Sequence, residues 1–453
     1  MKGPSISRKY LLLIVFLFAA SIRLIFLHGT RPSIFWETDS YVSYATFLKD
    51  HLRPPGVGTR AIGYPLFLLI FGNLNFNVII IIQQLLGLTS GVILFSIMDQ
   101  LTANSWISAA TAIFYSLSVD VLFMEVTIYS ETLSTFLLLL AIYAYLRATA
   151  SPTKLNLSLL GLNIAFLAIT RPIFQALIPL MAIFVLVPGL KRRGLKGIIP
   201  VLWFLMIPAI VMGTYSTYNF LHDRHFRIAI GRGFSSLDYL GFPEIYRNLP
   251  EDMSYIRDIY EEKAKESGQA YVGWGQALNP LLDAQKKRGQ PYRDWDEAAF
   301  FIFKKAVWAN PKGYLAVWSR AFIEYMGDYV VWYGLYRNND LPSDSKHSQV
   351  SIPIYRCVRS IENMFKLIQP VLSYVALFSL VLTLIFRGSG EIPYVSILLI
   401  SLMFVSMSLL NTALEPYIGQ ARYRMVWQGI IILLNGVWVT RLLNLYRDLY
   451  NEY

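Results

Sequence analysis

Charged residues are scarce in this chain of 453 residues: Asp, Glu, Lys and Arg make up 15% of it, against about 25% in an average soluble domain. Cysteine is nearly absent. Cys357 stands alone, which excludes an internal disulfide, a cysteine-rich zinc site and an iron–sulfur cluster. The sequence has no Gly-rich phosphate loop of the P-loop or dinucleotide type, so ATP and NAD chemistry are not expected. It has no Gly-x-Ser-x-Gly nucleophile elbow either. What fills the chain instead is apolar: 55% of residues are hydrophobic and 15% aromatic, and mean hydropathy is +0.45. That balance excludes a disordered chain, a nucleic-acid-binding module and an ordinary cytosolic enzyme. It indicates an all-α polytopic membrane protein.

A spanning helix needs about 20 predominantly apolar residues. Ten stretches qualify as candidates: 10–28, 78–98, 105–122, 130–147, 157–170, 173–190, 198–218, 364–386, 393–413 and 425–440. The net charge of +11 is not spread evenly. Residues 219–363 hold 19 Lys/Arg and 18 Asp/Glu, whereas the remainder holds 21 and 11. The excess therefore lies on the short connections between spans. Lys2, Arg8 and Lys9 precede the first span; Lys191, Arg192, Arg193 and Lys196 separate the sixth and seventh. Arg147 with Lys154, Arg387, and Arg441 with Arg447 fall on the same side under alternating parity. Lys and Arg mark the cytoplasmic side, so the expectation is a multi-pass protein of the cytoplasmic (plasma) membrane. The first apolar run lacks a small-residue cleavage site and reads as an uncleaved span rather than a signal peptide.

The chain divides into three regions. Residues 1–218 form an amino-terminal bundle with a first outer loop over 29–77, and 364–453 form carboxy-terminal spans with a short cytoplasmic tail. Between them, 219–363 is an outer region too long for a structureless connection, and is expected to be partly helical. Its segment 314–336 carries Arg320, Glu324 and Asp328 every four residues, a charged stripe along one helix face. With Trp308, Trp318, Trp332 and Tyr333 nearby, an interfacial helix fits better than an eleventh span.

The first outer loop reads Phe35-Trp-Glu-Thr-Asp39-Ser-Tyr41-Val-Ser-Tyr44, then Arg53-Pro-Pro-Gly56, then Arg60-Ala-Ile-Gly63-Tyr64-Pro65. Thr38 or Asp39 can cap a short helix over about 40–50. Asp39 has a second reading: an outward-facing carboxylate at the membrane surface can serve as general base. Glu37 stands two residues away, a spacing that does not share a helix face, so a paired acid and base is not supported. Glu131 follows Ser130 at the outer start of a span. It either complements the helix dipole or contacts substrate or metal. Arg171, at the outer interface, either snorkels to head groups or grips a phosphate with two N–H groups. Arg23, inside the first span, reads as a snorkelling side chain. His222 and His225 flank Asp223 in a loose His-x-x-His pattern with no further ligand at a convincing spacing, so no metal ligands are assigned and metal dependence stays open.

These elements, in order, resemble a known family. Asp39-Ser40 with the nearby tyrosines, the Arg60-x-x-Gly-Tyr64-Pro65 turn, Ser130-Glu131 opening a span, Thr170-Arg171-Pro172, and Arg422-Tyr423 before the last span look like the GT-C fold membrane glycosyltransferases. The branch they are similar to holds the protein O-mannosyltransferases and the lipid A aminoarabinose transferase. The prolines expected after Arg-Tyr are missing, since the chain continues Arg424-Met-Val-Trp427. The resemblance implies a GT-C-like bundle that moves a hexosyl or pentosyl unit from a polyprenyl-phosphate donor to an acceptor on the extracytoplasmic face, with inversion. The acceptor is a glycan, lipid or protein, and no nucleic acid takes part. Asp39 is then the base. Arg60, Tyr64, Glu131, Arg171, Arg422 and Tyr423 line the donor or substrate site. No cofactor is assigned, and a divalent metal is left open. Two other classes remain: an outer-face glycan polymerase or ligase using a lipid-linked oligosaccharide, and a transporter of lipid or solute. The transporter reading does not account for the long outer region.

Overall fold

The computed structural model describes residues 7–29, 32–35, 37–56, 58–288, 295–327, 352–386, 393–414 and 424–451. Arg422, Tyr423, Asp328, Trp332 and Tyr333 lie outside these. Among the described residues the regular elements are helices, with one isolated bridge between Ser33 and Thr127. The chain divides into two compact units. The first comprises Met1–Ile228, Asp328–Ser406 and Tyr423–Tyr453, and the second Ala229–Gly327 and Met407–Arg422.

The first unit is the membrane bundle. It contains α1 (Arg8–Gly29), α2 (Thr38–His51), α3 (Gly63–Gly72), α4 (Phe76–Thr102), α5 (Ser105–Leu117), α6 (Val119–Val126), α7 (Glu131–Ala150), α8 (Lys154–Thr170), α9 (Leu177–Arg193) and α10 (Ile198–Asp223). Among the described residues seven helical runs are long and apolar enough to cross a membrane, or eight if α5 and α6, bent by 53°, make one span. The expected ten differs from this for two structural reasons. One run of 52 residues, Pro172–Asp223, contains both α9 and α10. Straight, it would be about 78 Å long, more than twice the roughly 30 Å hydrocarbon core. It doubles back instead. Gly194 has φ +56°, and a Cβ on Gly197 would collide with the Gly189 backbone, so the turn closes only with glycine there. The other reason is α8, whose 17 residues fall just short of a full span. Its Gly161 lets the α10 backbone approach: a Cβ there would sit 2.5 Å from the Phe204 carbonyl.

Local chemistry sets the helix starts. Asn75 Oδ1 accepts from the Asn77 and Val78 amides at the head of α4, and Asn104 Oδ1 from Trp106 and Ile107 at the head of α5. On α1 the buried residues Leu11, Val15, Ala19, Arg23 and Phe26 recur at three- and four-residue steps, while Leu13, Leu17 and Leu24 stay exposed. Arg23 therefore points into the bundle, and the snorkelling expectation is corrected. Its Nη2 lies 2.6 Å from Glu125 Oε1, and Nη1 donates to the Ala19 carbonyl at 3.2 Å. Within a lipid-embedded bundle an unpaired charge is far costlier than a paired one, so the guanidinium seeks the carboxylate. Later in the unit come α17 (Ile352–Ile385), the start of α18 (Tyr394–Leu414) and α19 (Gln428–Asn451).

The second unit is built from α11 (Arg232–Leu240), the one-turn α12 (Pro243–Tyr246), α13 (Ser254–Ser267), α14 (Trp274–Lys287), α15 (Trp295–Ala309) and α16 (Pro311–Gly327), with the end of α18. Tyr239, Leu240, Tyr246, Ile256, Tyr260 and Phe303 are among its core residues. Asp296 Oδ1 accepts from the Gly231 and Gly233 amides at 3.0 and 2.7 Å, fixing the entry to α11. The expected interfacial segment is helical over 314–327, within α16, and its remainder lies outside the described residues. Arg320 on it pairs with Glu244 of α12 at 2.8 Å, and Leu315 and Ile323 remain exposed.

Candidate active site

The site is assembled around the break between α6 and α7. After α6 the chain runs through Thr127, Ile128, Tyr129 and Ser130, all buried and none helical, before α7 begins at Glu131. Buried backbone without a helix must find other partners. Gln83 of α4 supplies two: its Nε2 donates to the Glu125 carbonyl at 3.1 Å and the Thr127 carbonyl at 2.8 Å. The first outer loop supplies two more, since Ser33 N donates to the Val126 carbonyl and Ile128 N to the Ser33 carbonyl, at 2.8 and 3.1 Å. The loop is thus clasped to the break.

The rest of that loop brings the motif residues in. On α2, Tyr41, Tyr44, Ala45 and Leu48 form the buried stripe, with steps of three and four residues. The Tyr41 hydroxyl lies 3.2 Å from Ser130 Oγ, and its ring meets the Tyr64 ring edge-on at 5.0 Å. Tyr64, fully buried, donates its hydroxyl to Gln83 Oε1 at 2.8 Å. Gly63 makes this possible, because a Cβ there would press on Thr170 and the Ile169 carbonyl at the end of α8. Arg60 lies across the Tyr41 ring at 4.6 Å. Its Nε donates to Ser40 Oγ at 2.8 Å, and its Nη2 stands 3.4 Å from the buried Glu37 carboxylate. Arg171, just after α8, pairs through Nη1 with Glu131 Oε1 at 3.3 Å. Glu131 is 1% exposed and Arg171 13% as side chains, so the pair sits in a weakly screened setting.

Four of the expected residues, Arg60, Tyr64, Glu131 and Arg171, therefore meet around Tyr41 and Ser130. Asp39 sits in the first turn of α2, two residues from Tyr41 but on the opposite, exposed side of the helix. It is not a cap: the cap position is Glu37, and no side chain caps the helix. Thr38 does not cap either, because its Oγ1 accepts from the Phe35 amide. Asp39 makes no ion pair or hydrogen bond among the described residues. Arg422 and Tyr423 are outside them. His222 stacks on Tyr218 at 4.1 Å, and no cluster of three or more His, Cys, Asp or Glu occurs among the described residues. Sequence reasoning passed over Gln83 and the pairing of Arg23 with Glu125, and quoted Tyr41 in the motif without assigning it a role. A polar amide inside an apolar run, and opposite charges inside two spans, were the available signals.

Residues 64–216 match the family model of dolichyl-phosphate-mannose-protein mannosyltransferases. Among solved structures the chain is similar to the oligosaccharyltransferase of Archaeoglobus fulgidus in complex with an inhibitory peptide and a dolichol-phosphate. The two are 12% identical, with a TM-score of 0.50, over 98% of this chain and 52% of that one. At that identity the likeness gives the fold alone, an all-helical membrane fold of GT-C type. Weaker likenesses are to the protein O-mannosyltransferase complex of S. cerevisiae bound to the sugar donor (12% identity, TM-score 0.41, 52% of this chain and 37% of that one) and to ArnT of Cupriavidus metallidurans bound to undecaprenyl phosphate (12% identity, TM-score 0.33, 94% and 77%). The chain spans about half the length of the archaeal enzyme and 37% of the yeast one. No curated protein matches it in sequence.

Proposed function

We propose that the protein transfers a sugar from a polyprenyl-phosphate carrier to an acceptor hydroxyl or amine on the extracytoplasmic face, with inversion at the anomeric carbon. The observation that carries this reading is the first turn of α2. Asp39 is exposed there, and the next residue, Ser40, holds the Arg60 guanidinium at 2.8 Å. A carboxylate open to an incoming acceptor thus stands on the same turn as an anchored cation.

The chemistry needs little more. The acceptor oxygen or nitrogen attacks the anomeric carbon, Asp39 takes its proton, and the bond from that carbon to the phosphate oxygen breaks. The leaving polyprenyl phosphate carries away the electron pair and gains a negative charge. Such a leaving group is a weak base and needs cations more than a general acid. Arg60 and Arg171 supply them, each held in place by a buried carboxylate, Glu37 or Glu131. Tyr41 and Tyr64 position this frame, and Tyr64 does so from full burial. Arg422 and Tyr423 are assigned to the donor side by resemblance alone.

The test is transfer from lipid-linked sugars by the purified chain, with copurifying lipids identified by mass spectrometry. Asp39→Asn is expected to lower turnover about 100- to 10,000-fold, the usual worth of a positioned base, while the lipid stays bound. Arg171→Ala should lose the lipid. An Asp39→Asn protein that turns over like the wild type ends the assignment. Transfer seen only with an oligosaccharide donor would move the reading to a ligase.

A further inference from the structure

A cavity of about 590 Å³ opens at the far end of α7 from Glu131. Tyr145 and Thr149 of α7 line it, with Pro188, Arg192 and Arg193 of α9 and Pro393 before α18. The 20 residues of α7 put this end about 30 Å from the Glu131–Arg171 pair, roughly the thickness of the hydrocarbon core. The cavity is therefore separate from the proposed donor site, and its ligand is independent of the glycosyltransferase reading. Its size falls within the ordinary range of ligand pockets, about 300–1,000 Å³.

Two features say what it takes. The Tyr145 residue is 1% exposed, yet its hydroxyl has no hydrogen-bond partner among the described residues. A buried hydroxyl without a partner is costly, so a polar ligand atom in the cavity would relieve it. The second feature is charge. Arg192 and Arg193 are exposed at the rim and form no ion pair among the described residues, with Lys191 and Lys196 beside them. No Asp or Glu occurs in the sequence between Glu131 and Asp223. Below the rim the lining is largely aliphatic and rich in proline, which has no N–H to satisfy.

We propose that this cavity binds an anionic glycerophospholipid of the adjacent leaflet, with its phosphate on Arg192 and Arg193, a headgroup oxygen on the Tyr145 hydroxyl and an acyl chain along the proline-rich wall. Basic pockets between spans on the cytoplasmic side hold anionic lipid in this way. The test is native mass spectrometry of the full chain, titrated with phosphatidylglycerol and with phosphatidylcholine. The wild type should prefer phosphatidylglycerol. Each basic residue near a membrane surface is worth about fivefold in affinity for anionic lipid, so Arg192→Gln with Arg193→Gln should cost about 25-fold for phosphatidylglycerol and much less for phosphatidylcholine, whose choline offsets the phosphate charge. Val395→Trp, at an exposed lining position, should weaken both lipids by filling the acyl path. Equal binding of the two lipids by the wild type overturns the proposal. So does a double variant that keeps its preference, or displacement of the lipid by inorganic phosphate or by a polyprenyl phosphate.

Discussion

Arg23→Met tests whether the bundle is held by a charge pair inside its own core. The side chains of Arg23 and Glu125 are 4% and 1% exposed and meet at 2.6 Å. They join α1 to α6, the element that leads into the Thr127–Ser130 break. Gly87 of α4 leaves them room, since a Cβ there would run into Glu125 Oε1 and stand 3.0 Å from Arg23 Nη2. Met matches the length of the arginine stem but strands the carboxylate. Leaving one partner of a buried pair unpaired costs about 3–5 kcal/mol. Glu125→Gln strands the guanidinium and should cost a similar amount. The double variant removes both charges and should return to within about 1 kcal/mol of the wild type, because replacing a whole buried pair is often neutral. Equilibrium unfolding in mixed micelles, followed by tryptophan fluorescence, reads all three. The reasoning fails if Arg23→Met costs under about 1 kcal/mol, or if the double variant is as unstable as the two single losses added together, since contacting partners must couple.

Gln83→Leu should cost at least about 2 kcal/mol in the same unfolding assay, because it strands the Tyr64 hydroxyl and the Glu125 carbonyl at about 1–3 kcal/mol for an unsatisfied group, while the Thr127 carbonyl keeps the Tyr129 amide. Adding Tyr64→Phe should recover only the hydroxyl's share; full recovery would mean that the Glu125 carbonyl finds another partner. In the second unit, burial tends to raise the Glu244 carboxyl, but the Arg320 hydrogen bond, the residue's own backbone and the Arg320 charge outweigh it and hold the pKa below the usual 4.5. The folded value lies under the unfolded one, so the pair stabilises above the unfolded pKa and the effect is lost as pH falls through the folded one. Both side chains are more than a third exposed, which keeps the contribution under about 1 kcal/mol. Arg320→Gln should remove this acid-range slope from a plot of stability against pH, and an unchanged slope would refute the pairing.

The fold is legible because membrane physics writes it in composition. Apolar runs mark the spans, and cations mark the turns between them. The span count differs where length alone misleads, at the short α8 and at the Gly189–Gly197 hairpin, whose close backbone approach is marked in the sequence only by Gly189, Gly194 and Gly197. The α5–α6 bend lies inside a run that reads as one straight span. Ser118 sits at the bend with extended backbone, φ −63° and ψ 113°, and neither Pro nor Gly announces it. The site is half legible. Which arginine meets which carboxylate is a matter of tertiary distance: Arg23 and Glu125 are 102 positions apart, and no local pattern joins them.

The two carboxylates of the first loop show what local pattern can decide. Glu37 and Asp39 are equal by residue type and by proximity to the motif. Their two-residue spacing sends them to different sides of the chain, and the Tyr41–Tyr44–Leu48 stripe marks which side is buried. Glu37 therefore falls inward, to Arg60, and is occupied as a structural counter-ion. Asp39 falls outward and is exposed. Exchanging their roles would require turning α2 by about half a revolution, which would expose Tyr41 and break its contact with Ser130. In the proposed function, the helix face rather than the carboxyl group itself is what leaves Asp39 free to act as the base.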